Sequence, residues 1–137
     1  MKRYVLDACS VIALLNDEEG ADIVEGILKI SANGKAEVHM HSINILEIYY
    51  QVERNSGKKL AHDFLSVMSM LPVKIIEVVN RQLIETAGNI KAQYRVSLAD
   101  AIAVGTAIIL DAVLISADHH ELDVLKRDRT LQIEWFR

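Results

Sequence analysis

Four acids occupy positions where a carboxylate can serve something other than its own backbone: Asp7, Glu47, Asp100 and Asp118. Asp7 closes the apolar run Arg3-Tyr4-Val5-Leu6, and Asp118 follows Val113-Leu114-Ile115 with only Ser116 and Ala117 between. Asp100 opens a stretch, Ala101 to Leu110, that is apolar or small on every face, so its helix should be deeply buried and its carboxylate partly shielded from water. Glu47 falls by helical spacing beside Asn44, Gln51 and Asn55, at the margin of a face carrying Ile43, Leu46 and Tyr50. Taken singly, each has an ordinary structural use. Asp7 suits an Asx turn, Asp100 completes a capping box begun by Ser97, and Glu47 fits a solvated stripe. Taken together, three or four carboxylates at one place repel one another unless they bind cations or protons. Hard oxygen ligands of this kind suit Mg²⁺ or Mn²⁺.

The elements that must position these acids alternate between strand and helix. Arg3–Leu6 reads as a first strand, followed by a helical run through Val11, Leu14 and Leu15. Ala21–Ile30 reads as a helix with Ile23, Ile27 and Ile30 on one face and Gly34 as its stop. Glu37–Met40 is a weaker strand. Ser42 then caps a helix running to Gly57, a second helix covers Leu60–Leu71, and Pro72 ends it. Val73–Val79, rich in β-branched residues, is the third strand, and Asn80 caps a helix to about Tyr94. After the helix that Ser97 caps come a strand at Ala112–Ser116, a partly helical polar segment at Asp118–Arg129 and a last strand at Leu131–Phe136. Such alternation implies a parallel sheet covered by helices on both faces, an α/β layout, with ligands beyond the carboxyl ends of the strands. Asp7 and Asp118 therefore belong at the ligand-binding edge.

A chain of 137 residues, 51% hydrophobic and 25% charged, has material for one well-formed core, and a single domain over residues 1–137 is expected. The lone Cys9 excludes an internal disulfide framework and a Cys-rich zinc site. No apolar run approaches the ~20 residues of a spanning helix. Asp7 also interrupts any signal-like run after Lys2-Arg3, so a cytoplasmic protein with no membrane partner is expected. A net charge of −4 argues against gripping nucleic acid by bulk charge alone. It leaves room for an enzyme whose site is acidic because it holds metal.

Four stretches taken in order carry a resemblance: Tyr4-Val-Leu-Asp7-Ala-Cys-Ser10, His41-Ser-Ile-Asn-Ile-Leu-Glu47-Ile-Tyr-Tyr50, Ser97-Leu-Ala-Asp100-Ala-Ile-Ala103 and Leu114-Ile-Ser-Ala-Asp118-His-His-Glu121. With their spacing, they make the chain resemble, over nearly its whole length, the PIN-domain family, which includes the ribonuclease toxins of VapBC toxin-antitoxin pairs. The resemblance implies a three-layer α/β/α sandwich, a parallel five-stranded sheet of order 3-2-1-4-5, and Mg²⁺- or Mn²⁺-dependent hydrolysis of RNA. It carries the family's three usual acids onto Asp7, Glu47 and Asp100, and the more variable fourth onto Asp118. All four become candidate catalytic and metal-binding residues, and Ser116 a candidate substrate contact. An antitoxin partner and a homodimer follow from the same resemblance. Two positions depart from the pattern. Cys9 stands where the family usually has Ser, Thr or Asn, with Ser10 one position late, and Ser116 replaces the more common Thr.

A dehalogenase-type phosphatase also places an Asp after its first strand, but Asp7-Ala8-Cys9 lacks the second acid such enzymes need. A phosphate-accepting receiver domain would need an Asp closing the third strand, which Val73–Val79 does not offer. A PIN-like module that binds RNA or protein without turnover is the remaining alternative, motivated by Cys9. His119-His120 and the pair His39 and His41 lack a third ligand and read as surface or packing residues. Lys91, Arg95, Lys126, Arg127 and Arg129 are the cations available for phosphate contacts. Replacing Asp7 by Asn is expected to weaken cation binding and, by relieving repulsion, to raise stability without the cation.

Overall fold

The computed structural model describes residues 1–128 and 131–137, and in them the strand–helix alternation closes into one parallel sheet. Strand β1 (Lys2–Leu6) lies at its centre, with β2 (Ala36–His41) on one side and β4 (Val113–Ser116) on the other. Strands β3 (Lys74–Ile76) and β5 (Ile133–Trp135) form the edges, giving the order β3-β2-β1-β4-β5 with every pair parallel. The expected three-layer α/β/α fold and its strand order are therefore observed.

Period-two alternation along the central strands builds two cores, one on each face. Tyr4, Leu6, Val38, Met40 and Ile115 point into one of them. There they meet α1 (Ala8–Leu15), α2 (Ala21–Ala32), α3 (Ser42–Ser56) and α4 (Lys58–Met70), through residues such as Val11, Val24, Ile48 and Phe64. Val5 and Leu114 point the other way, against α5 (Arg81–Gln93), α6 (Leu98–Leu110) and α7 (His119–Arg127), through Leu83, Ile90, Val104 and Leu125. Helix α6 is buried as its all-round apolar character requires. Its Gly105 lies where an added Cβ would come within 3.0 Å of Leu83, so α5 and α6 pack at close range.

Local expectations fail in three places, each for a tertiary reason. On α2 the buried face is Ala21, Val24, Ile27 and Leu28, whereas Ile23 and Ile30 are exposed, because the helix is rotated about its axis so that Val24 and Leu28 take the inward positions. The cap of α3 is His41 rather than Ser42. The imidazole Nδ1 accepts from the Ile43 N–H at 3.0 Å, and Nε2 reaches the Val78 carbonyl at 3.1 Å, so one buried ring closes a helix end and ties down the adjoining segment. The third strand is confined to Lys74–Ile76. As an edge strand it has one neighbour, and Val78 and Val79 beyond it are exposed.

Candidate active site

Each acid of interest is placed by a local backbone feature at the carboxyl end of the sheet. Asp7, immediately after β1, is the N-cap of α1, its Oδ1 accepting from the Ser10 N–H at 2.9 Å. The Ser10 hydroxyl lies 2.7 Å from both that oxygen and the Ile115 carbonyl, which compete for its one proton, and the Cys9 thiol lies 3.0 and 3.1 Å from the two carboxylate oxygens. Asp7 is only 2% exposed, yet its charge is met by donors on both oxygens. Asp118 caps α7 by accepting from the Glu121 N–H, and its own N–H donates to the Ser116 hydroxyl at 3.1 Å. Glu47 projects from the second turn of α3, one helical turn beyond Asn44.

The start of α6 does something the sequence pattern does not anticipate. Ser97 caps it, accepting from the Asp100 N–H at 3.1 Å, but the return bond of a capping box is not made by Asp100. The Ser97 N–H donates instead to Oε2 of Glu121, across from α7 at 3.2 Å. Asp100 is thereby released from the structural duty its spacing suggested. Its side chain belongs to a cluster with Asp118 and Glu121, in which one carboxylate oxygen from each lies within 4.8 Å of the others.

Asp7, Glu47, Asp100, Asp118 and Glu121 all line one cavity of about 320 Å³, together with Cys9, Gln51 and Ser97. Among the described residues no Lys, Arg or His lines it. A larger depression of about 570 Å³ lies between α6 and β5, and among the described residues Asp111 is its one carboxylate. The four acids expected from sequence are thus neighbours, and Glu121 joins them as a fifth that the sequence reading does not include. Its signal was present as the acid three residues after Asp118, the position of a first-turn residue on a capped helix.

The electrostatics follow from five acids lining one cavity, with His120 near Glu121 outside that lining. Burial, then the proximity of Glu121, Asp7 and Asp118, pushes the Asp100 carboxyl up to about 9. Glu121 moves the other way, held low by hydrogen bonding with Asp100, by the Ser97 N–H and by the nearby His120. Glu47 is raised by burial and by the charges of Asp7, Glu121 and Asp118. The Cys9 thiol is pushed far up by burial and by Asp7, which keeps it a neutral donor. Cys9 therefore supplies Asp7 with a donor, as the Ser10 hydroxyl also does.

Three sequence expectations change with these facts. Ser116 has no exposed surface, and its hydroxyl faces the Asp118 N–H and, at 3.8 Å, the Cys9 sulfur. It does not line the cavity that gathers the acids. Asp7 is met by the Ser10 N–H and hydroxyl and the Cys9 thiol, so Asp7→Asn is now expected to cost stability rather than add to it. The candidate phosphate-binding cations are also dispersed: Lys91 donates to the Val96 carbonyl at 2.8 Å, and Lys126 sits 5.5 Å from the Trp135 ring centre. Arg95 and Arg127 are exposed, and Arg129 lies outside the described residues.

The donor set fits a hard divalent cation. Carboxylate oxygens from Asp100, Asp118 and Glu121 converge, and among the described residues no soft or imidazole ligand joins that cluster.

A family model described as PIN domain matches residues 4–127. No curated protein matches the sequence. Among solved structures, a chain of the VapBC2 complex from Rickettsia felis, bound to a DNA fragment from its promoter, superposes with a TM-score of 0.74 at 18% identity, over 97% of this chain and 98% of that one. A chain of DNA-bound VapBC from Salmonella typhimurium gives 0.73 at 17% identity, with both chains covered completely. The VapC20 toxin of Mycobacterium tuberculosis, described as cleaving the sarcin-ricin loop, gives 0.60 at 14% identity over 82% of this chain and 87% of its own. At these identities the likeness establishes the fold.

Proposed function

The chain belongs to the PIN-domain family, and from that premise we propose that it is a Mg²⁺- or Mn²⁺-dependent endoribonuclease, the toxin of a toxin-antitoxin pair. The observation that carries this reading is the convergence of Asp7, Glu47, Asp100, Asp118 and Glu121 on one cavity at the carboxyl end of a parallel sheet, with no cation among its lining residues. Residues 1–137 act as a single nuclease domain, both cores sharing the one sheet.

In this proposal Asp100, Asp118 and Glu121 hold the metal with Asp7. When bound, the ion supplies a Lewis acid that offsets charge on the scissile phosphate and makes water a better nucleophile. Asp7 contributes a carboxylate whose orientation is set in advance by Ser10 and Cys9. Ser116 acts at one remove by bonding the Asp118 N–H. Glu47, on the opposite helix and outside the tight cluster, orients the attacking water and accepts its proton at a carboxylate oxygen. Attack by water at phosphorus with departure of the 3′ oxygen leaves 5′-phosphate and 3′-hydroxyl ends.

The toxin assignment is supported by similar folds that occur in toxin-antitoxin complexes, and an antitoxin partner follows from it. Leu46 and Tyr50 on α3 and Ile84 on α5 leave apolar surface exposed, which supports a homodimer. No helix among the described residues is long and apolar enough to cross a membrane, and a cytoplasmic site of action is proposed with the toxin assignment.

The test is cleavage of mixed single-stranded and hairpin RNAs by purified protein in Mg²⁺, Mn²⁺ or chelator, beside the Asp100→Asn variant. Cutting that needs metal, leaves 5′-phosphates and disappears in the variant is the expected result. Cutting that persists in chelator, or equally in the variant, overturns the proposal.

A further inference from the structure

Glu47 and Asp100 approach the cavity from two different helices, and a single buried side chain joins the starts of those helices. Asn44, in the first turn of α3, has no exposed surface, and its Nδ2 donates to the Ala99 carbonyl, in the first turn of α6, at 3.0 Å. One end of this bond lies one helical turn before Glu47, and the other lies on the residue preceding Asp100. The remaining polar atom of the side chain, Oδ1, is buried without a partner among the described residues.

That combination is costly if Asn44 serves only to pack the helices. The neighbours Ile45 and Ile48 lie in one core and Ile43 packs against the other, so an apolar side chain would suit the site and leave no acceptor unmet. Like charges on the facing acids also push α3 away from α6 and α7. The Nδ2–Ala99 bond opposes that separation at the level of the acids.

We propose that Asn44 is a positioning residue: through the Ala99 carbonyl it fixes the start of α6, keeping Asp100 within reach of the cation it shares with Asp118 and Glu121, and it holds the Glu47-bearing helix at a set distance from that cluster. This inference rests on the metal-binding reading above. Residues that orient ligands from behind, when replaced, weaken metal affinity on the order of 10- to 100-fold.

The experiment measures Mn²⁺ affinity by titration calorimetry on metal-stripped protein, with a thermal melt of each sample. The samples are wild type, Asn44→Ala, Asn44→Ser, and Ile27→Val as a core change on α2 remote from the site. The expected result is a loss in affinity of at least ~10-fold for Asn44→Ala, a smaller loss for Asn44→Ser, which keeps a donor, and none for Ile27→Val. The Mn²⁺ concentration for half-maximal cleavage should rise in parallel. If Asn44→Ala does not fold, Asn44→Ser carries the same comparison. Equal affinity in wild type and the Asn44 variants, with a lowered melting temperature, overturns the inference and leaves the metal site standing. Absence of Mn²⁺ binding by the wild type overturns both.

Discussion

Asp7 and Asp100 line the same cavity and are held in opposite ways. Asp7 sits among donors, with the Ser10 N–H and hydroxyl on one oxygen and the Cys9 thiol near both, so its negative charge is compensated before anything binds. Asp100 has lost its capping role to Glu121, and its closest company is two further carboxylates. The same residue type is thus an anion fixed by its neighbours in one half of the site and a group driven toward protonation in the other. One half is built by the fold alone. In the proposed reading, a bound cation completes the other half.

The largest effect that tests this contrast is the response to metal. At a hundredfold excess over its dissociation constant, Mn²⁺ should stabilise the wild type by about 2.7 kcal/mol through mass action, and Asp100→Asn should lose most of that gain in chemical denaturation. Equal stabilisation of the two proteins would move the cation away from the Asp100 cluster. Next come the metal-free stabilities, where the two halves should respond with opposite signs. Asp7→Asn removes the charge that strengthens its hydrogen bonds and should cost about 1–2 kcal/mol. Asp100→Asn is neutral at every pH, so it avoids the cost of burying an acid that must either hold a proton or carry charge beside Asp118 and Glu121, and it should raise the denaturation midpoint. A shift of the same sign in both variants would erase the distinction between the halves.

The pH dependence sharpens it further. Asp100 titrates near the ordinary 3.8 when unfolded and at about 9 when folded, so between these values the native state binds a proton that the unfolded chain does not. Its contribution to stability is complete below about pH 4 and is lost as pH rises toward 9. Metal-free wild type should therefore melt at a lower temperature at pH 8.5 than at pH 6, by a margin that shrinks in Asp100→Asn. An undiminished margin in the variant would assign the effect to other groups. The smallest effect belongs to Cys9→Ser. A hydroxyl also donates to Asp7, so stability should change by less than ~1 kcal/mol and metal-dependent cleavage should persist, whereas Cys9→Val, which has no donor, should lower both.

Much of this organisation was legible along the chain. Alternation of Tyr4, Val5 and Leu6 between two cores is a two-residue rhythm, and Asn80 and Ser97 announce helices through bonds to their own third neighbours. The rotation of α2, by contrast, depends on which apolar stripe fits the sheet. His41 took the cap expected of Ser42 because its ring also reaches Val78, a contact between residues 37 apart. Glu121 stayed hidden for a related reason: its acceptor role toward Ser97 spans 24 residues and exists only once α7 packs beside the start of α6.

The amino-acid order by itself determined that carboxylates would stand at strand ends and helix starts, because caps and strand termini are set by bonds between residues a few positions apart. Only the tertiary structure decided which of those carboxylates would be neutralised and which would be left facing one another. Charge compensation depends on distances between side chains from different elements, and those distances arise when the helices pack on the sheet.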